Sequence, residues 1–297
     1  MLDISIQPCL NPIAQKYPGI LLDAYGVFWG GNSAGLFPGS KAAMELLVSS
    51  GKIVGILSNS TQLAAKEIEK LKDPKHGLAQ GVHYHFLLTS GETARQAFLK
   101  GELPYKRYWV FCNGHPKFNN AAALFQGTIY QEASHWQEAD FVYIGVPHLD
   151  GADQINPSVF REQLHQLRAK NLPLVCANPD RFAHEGNPPQ AVVRQGSIAR
   201  LYEEIGGRVL YFGKPYTAVY DCAMHHFSQY NIIYPHNVLM VGDTPETDIQ
   251  GATKVGMDSA LVIETGTMGD RVAASGLQQC LLTLSKQEKP THYIQRL

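Results

Sequence analysis

Four short segments of this chain place residues capable of chemistry where apolar runs end. Asp23 follows Ile20-Leu21-Leu22, and Ser58-Asn59 follows the run Ile53 to Leu57. Asp243 follows Val238 to Gly242, Asp248 comes five residues later, and Lys214 stands in Gly213-Lys214-Pro215. Carboxylate oxygens suit Mg²⁺, which keeps several waters and commonly bridges to a phosphate. A strand-end aspartate beside Mg²⁺ and a lysine can act as a nucleophile on phosphorus, giving an aspartyl-phosphate. Metal and lysine together would neutralise the transferring group, the main burden in phosphoryl transfer. The Ser58 hydroxyl and the Asn59 backbone N–H could hold a phosphoryl oxygen.

Each residue taken singly has a plainer reading. An aspartate after an apolar strand is commonly a helix cap or turn former. Ser58-Asn59 reads equally well as the cap of a helix starting at Thr61, and Lys214 as a solvated loop lysine. The order of all four segments, each at a strand end or in a loop, is what favours a shared site.

Those ends belong to a regular pattern. Continuous apolar runs recur at Ile20 to Leu22, Ile53 to Leu57, Tyr108 to Phe111, Phe141 to Ile144, Leu174 to Ala177, Val238 to Val241 and Ser259 to Ile263. Unalternating strands separated by helices predict parallel sheets covered on both faces. Helical periodicity predicts helices over Ser40 to Ser50, Thr61 to Leu71 and Ser158 to Lys170. The fold class is therefore α/β, with ligands expected at the carboxyl ends of the strands. About 150 residues separate Ser58 from Lys214, more than one crossover connection uses, which predicts an inserted second domain.

Composition narrows the partners. Among 297 residues, Lys plus Arg number 25 against 26 Asp plus Glu, so no overall field favours nucleic acid or a membrane surface. The five cysteines form no CxxC pair, which argues against a zinc site or a disulfide framework. Without a visible secretory signal or a bilayer-length apolar run, the expected location is cytoplasmic.

The segments Leu22-Asp23-Ala24-Tyr25-Gly26, Leu57-Ser58-Asn59-Ser60, Gly213-Lys214-Pro215 and Gly242-Asp243 with Thr247-Asp248 resemble the four motifs of the haloacid dehalogenase superfamily. Cys176-Ala177-Asn178-Pro179-Asp180, and the run from Arg194-Gln195-Gly196 to Gly206-Gly207-Arg208, make the resemblance one to its class IIA. That class includes N-acetylglucosamine-phosphate, nitrophenyl-phosphate and pyridoxal-phosphate phosphatases. The resemblance implies a Rossmann-like parallel-sheet core over 1–100 and 207–297, interrupted by an α/β cap over 101–206. It also implies a small phosphorylated substrate, Mg²⁺ as cofactor, and a homodimer formed through the cap. Carried onto this chain, Asp23 is nucleophile and metal ligand, and the carbonyl of Tyr25 is a second ligand. Ser58 and Asn59 bind phosphate, Lys214 is the catalytic lysine, and Asp243 and Asp248 complete the metal site. Asn178 and Asp180 are cap residues near the substrate.

Tyr25 is where the pattern breaks, because the resembling phosphatases read Asp-x-Asp-Gly and use the second aspartate as general acid and base. A phenol with its ordinary pKa near 10 can donate a proton but is poorly suited to activating water at neutral pH. Three readings stay open. The first is a phosphatase or phosphotransferase slowed by the exchange, or acting on a good leaving group such as an aryl or acyl phosphate. The second is a weak or inactive metal- and phosphate-binding module, in which Tyr25 is a buried aromatic filling the turn beside Val27 and Phe28. The third is a 2-haloacid dehalogenase, whose motif does carry tyrosine here, although that chemistry has no use for a cation site.

Overall fold

The computed structural model describes residues 5–31, 34–185 and 190–297. Its contacts divide the chain into two units, one of Met1–Ser58, Ala65–Leu88 and Lys214–Leu297, the other of Asn59–Ala64 and Thr89–Gly213.

The first unit is built on a seven-stranded sheet. Its order is Ile6–Gln7, His292–Ile294, Asp258–Val262, Val238–Gly242, Gly19–Leu22, Ile53–Ser58 and Phe86–Thr89. Pairing is parallel from the first of these strands through Ile53–Ser58. Gly19–Leu22 and Val238–Gly242 are buried along their whole length, as expected of central strands covered on both faces. One face packs Leu21, Met240 and Phe86 against Val219, Ala223 and Phe227 of the helix Thr217–Ser228. The other buries Leu261 and Ile263 beneath Met268, Cys280 and Leu281 from the helices Gly266–Ser275 and Leu277–Thr283.

The second unit has its own parallel sheet, ordered Val209–Tyr211, Leu174–Cys176, Phe141–Ile144, Arg107–Phe111 and Gln131–Glu132. Side chains alternate between its faces with the two-residue period of a strand. Val142 and Ile144 pack with Leu164, Leu167, Ile198 and Tyr202 from the helices Arg161–Ala169 and Gln195–Glu204. Phe141 and Tyr143 face the opposite cluster, with Phe98 and Phe125 from the helices Ser90–Leu99 and Ala121–Phe125.

The helix expected over Thr61 to Leu71 spans Ala64–Lys72 instead. Its missing first turn has a physical cause, because the carbonyls that would start it accept bonds from elsewhere. Ser60 O accepts from Gly91 N and Ser90 Oγ, both at 3.0 Å, and Gln62 O accepts from Thr89 Oγ1 at 2.7 Å. Ser58-Asn59 is consequently not the cap of that helix. The same contacts draw Asn59–Ala64 into the second unit. That unit begins at Thr89 rather than 101 because the helix Ser90–Leu99 stacks Phe98 on Phe125, 4.6 Å between centroids. It extends to Gly213 because Val209–Tyr211 forms its edge strand. Among the described residues, no helix is long and apolar enough to cross a membrane.

One glycine tests the packing of the first unit. A Cβ added at Gly55, on the strand Ile53–Ser58, would lie 2.3 Å from Phe86 Cζ. Gly55→Ala should therefore lower stability by about 1–3 kcal/mol through overpacking, read as a lower urea midpoint at unchanged m-value.

Candidate active site

Strand register brings the first two carboxylates together. Gly19–Leu22 and Val238–Gly242 pair in parallel with Leu22 opposite Val241, and Asp23 N donates to Val241 O at 2.8 Å. Asp23 and Asp243 therefore leave adjacent strand ends, both buried. Asp248 returns to the same point on the wide turn Pro245–Ile249, a π-helical geometry that often marks functional positions. Its carboxylate accepts from Thr244 N at 3.0 Å and lies under Gly242, where a Cβ would come within 2.2 Å of it. Glycine at 242 is thus a steric requirement for placing Asp248.

Lys214 completes the cluster. Its side chain is 2% exposed, and its ammonium lies 2.5 Å from Asp23 Oδ1 and 2.7 Å from Asp248 Oδ1. Asp243 is anchored from another side, since Thr267 N donates to its Oδ2 at 2.5 Å and Met268 N to its backbone carbonyl at 3.1 Å. Gly26 and Gly266 both have positive φ and crowd the Asp243 carboxylate, leaving no room for a side chain at either position. Thr265 Oγ1 donates to Gly26 O at 2.6 Å and ties the two loops together.

The charges do not balance among these side chains alone. One ammonium faces three buried carboxylates whose ligand oxygens lie within 4.8 Å of one another. Burial pushes the Asp23 carboxyl well above its usual range, with Asp248 and Asp243 adding to the rise and Lys214 opposing it. Such a set of oxygen donors with surplus negative charge fits a hard divalent cation.

Ser58, also buried, ends the strand next to Gly19–Leu22. It lines a small cavity together with Ala24, Tyr25, Glu67 and Lys70. Asn59 is bonded within the second unit, its amide donating to Asp180 Oδ1 at 2.8 Å, and Asn178 Oδ1 accepts from Asp180 N at 2.9 Å. The expected residues therefore form two sets. Asp23, Ser58, Lys214, Asp243 and Asp248 gather in the first unit, and Asn59, Asn178 and Asp180 in the second.

Tyr25 is not a buried filler of its turn. Val27, Phe28 and Trp29 are buried, while Tyr25 is 42% exposed. Lys70 and Glu67 stand beside its hydroxyl, and desolvation pushes the phenol above its usual value. The Lys70 ammonium lies 5.6 Å from the Tyr25 ring centroid and 5.1 Å from that of Trp29, and is ion-paired with Glu67. The sequence reading missed Lys70 and Glu67, although their i,i+3 spacing on the helix Ala64–Lys72 was a visible signal. It also missed Thr267, for which no local signal exists.

Known proteins resemble this arrangement along most of the chain. A family model described as HAD-hydrolase-like matches residues 211–297, the segment that carries Lys214, Asp243 and Asp248. Chronophin from Bos taurus is 26% identical over 291 residues, covering 96% of this chain and 92% of that protein. The sugar-phosphatase AraL of Bacillus subtilis is 29% identical over 248 residues, covering 82% of each. A haloacid dehalogenase-like hydrolase from Brucella suis superposes with a TM-score of 0.79 at 24% identity, covering 98% of this chain and 100% of that one. The chain is thus similar, along most of its length, to haloacid dehalogenase-like hydrolases of class IIA. The first of its motifs carries Tyr25, and its acidic cluster is assembled at parallel-strand ends.

The raised Asp23 value has a measurable sign. A carboxyl whose folded pKa lies above the ordinary 3.8 supports the fold fully at low pH and loses that support as pH rises through the folded value. In metal-free protein, Asp23→Asn should thus gain melting temperature relative to wild type as pH rises from about 4. A difference that stays flat, or shrinks with rising pH, would contradict the electrostatic account.

Proposed function

We propose that this protein transfers or hydrolyses the phosphoryl group of a small phosphorylated compound, with Asp23 as nucleophile and Mg²⁺ as cofactor. The observation that carries this reading is the buried cluster of Asp23, Asp243 and Asp248 around Lys214. The phosphatase named among the relatives supports the substrate class. The carboxylate surplus favours phosphoryl chemistry over halide displacement, which has no use for a cation.

Asp23, Asp243, Asp248 and the Tyr25 carbonyl would hold Mg²⁺, which when bound supplies positive charge against the phosphoryl oxygens. The Asp23 carboxylate attacks phosphorus, forming the aspartyl-phosphate as the bond to the leaving oxygen breaks. Lys214 holds its ammonium against Asp23 and offsets charge on the phosphoryl group, which the Ser58 hydroxyl and the Asn59 backbone N–H orient. Water then attacks the phosphorus of the acyl phosphate, releasing phosphate and restoring the carboxylate. Tyr25 can give a proton to the leaving oxygen, and the phenolate so formed takes one back from the attacking water; the raised pKa makes the phenol a weak acid for the first transfer. The first step is accordingly the slow one. No step is assigned to Asn178 or Asp180. The second unit as a cap, and a homodimer through it, belong to the same proposal, and mass in solution tests the dimer.

With Mg²⁺ and a panel of phosphate esters and acyl phosphates, wild type should turn over and Asp23→Asn should not. Equal turnover by both would overturn the nucleophile. Tyr25→Asp should raise ester hydrolysis by about 10²-fold or more by supplying a carboxylate acid and base. Chloride release from a 2-chloro acid without Mg²⁺ would establish the dehalogenase instead. Binding of Mg²⁺ and phosphate without turnover in either variant would establish the binding module.

A further inference from the structure

A cavity of about 430 Å³ opens in the first unit among Ser5, Gln7, Ile13, Lys16 and His292. His292 stands at the amino end of the strand His292–Ile294, whereas Asp23 and Asp243 follow the carboxyl ends of strands in the same parallel sheet. The hydrogen bonds around His292 fix its tautomer. Tyr17, buried beside it, has one hydroxyl hydrogen and gives it to Asp258 Oδ2 at 2.6 Å. His292 Nε2 lies 3.1 Å from the same hydroxyl oxygen and must be the donor there. Nδ1 is then an acceptor in the neutral ring and becomes a donor when the ring is protonated. It has no hydrogen-bond partner among the described residues.

The charges around that ring favour an anion in the cavity. Asp258 is not part of the lining, and both its oxygens are taken, the second by Thr291 Oγ1 at 3.2 Å. Its charge therefore supports an imidazolium through Tyr17 without facing the cavity. Lys16, on the lining, is exposed and pairs with no carboxylate among the described residues. Burial holds the His292 imidazole below its usual value, with Asp258 opposing that fall and the Lys16 ammonium adding to it. An anion between the two cations removes their repulsion. Gln7 Nε2 donates to Ser5 Oγ at 3.2 Å, which leaves the Ser5 hydroxyl its own hydrogen to give.

We propose that this cavity is a second, non-catalytic site for a small oxyanion, a carboxylate or a phosphate, held between the Lys16 ammonium and the protonated His292 ring. Both bonds are charge-assisted, and the Ser5 hydroxyl is a third donor. Binding at neutral pH takes up one proton, at His292 Nδ1. The site stands on its own residues and does not depend on the reading of the Asp23 cluster.

The test uses sulfate, as a phosphate analogue, and acetate, whose charges are fixed from pH 6 to about 8. Each is titrated into the full chain without Mg²⁺, so that the three carboxylates of the Asp23 cluster repel it. The readout is the His292 ring-proton signal in the NMR spectrum, identified by its absence in His292→Gln, with calorimetry giving the affinity without that assignment. At least one anion should move the signal saturably, and glycerol should not. Affinity should rise about tenfold for each unit that pH falls above the imidazole pKa, because only the protonated fraction binds. Lys16→Met, a change at an exposed side chain, should weaken binding about fivefold. A response to sulfate alone assigns the site to phosphates, and to acetate alone, to carboxylates. No saturable shift with either anion, an equal shift with glycerol, affinity independent of pH, or unchanged affinity in Lys16→Met overturns the proposal.

Discussion

A buried ammonium held between two buried carboxylates, with a third close by, is the constraint on which the first unit is organised. Lys214 cannot be taken out of water without partners, and Asp23 and Asp248 meet it at 2.5 and 2.7 Å. The reverse also holds, since losing one member of a buried ion pair costs about 3–5 kcal/mol by stranding the rest. Three carboxylates remain against one ammonium, and burial above all, with Asp248 and Asp243 adding to it, raises the Asp23 carboxyl. That surplus weakens the metal-free fold and readies it for a divalent cation.

The geometry of the sheet exists in the service of that cluster. Parallel pairing of Gly19–Leu22 with Val238–Gly242 places Asp23 and Asp243 on neighbouring strand ends without a loop to position either. Glycines then clear the space. Gly242 admits Asp248, while Gly26 and Gly266 admit Asp243. Backbone donors from Thr244 and Thr267 fix two of the carboxylates, so their directions are set before any ligand arrives. Preorganisation of this kind spares the site from reorganising during reaction.

Much of this was legible in the sequence, and the parts that were not share a cause. Apolar runs ending in Asp23, Ser58 and Asp243 identified strand ends because burial on both faces demands unbroken apolar sequence. The edge strands Phe86–Thr89 and Val209–Tyr211 were not read, although both mark where the units divide. The helix over Thr61 to Leu71 was read one turn too long. Its periodicity is helical, but bonds from Thr89, Ser90 and Gly91 take the carbonyls that a first turn would need. Local pattern cannot register a competitor roughly thirty residues away.

Tyr25 shows the same division at a single position. Its identity, and the loss of a carboxylate that it entails, stand in the sequence and need no coordinates. Only the tertiary structure decided that it stands partly exposed and beside Lys70 and Glu67. The sequence by itself determined which residues carry charge, which runs are apolar throughout, and the order in which they come. Tertiary structure determined which oxygen faces which nitrogen, because strand register, glycine clearance and long-range hydrogen bonds are relations between distant segments. Burial and approach are properties of those relations, and no residue type contains them.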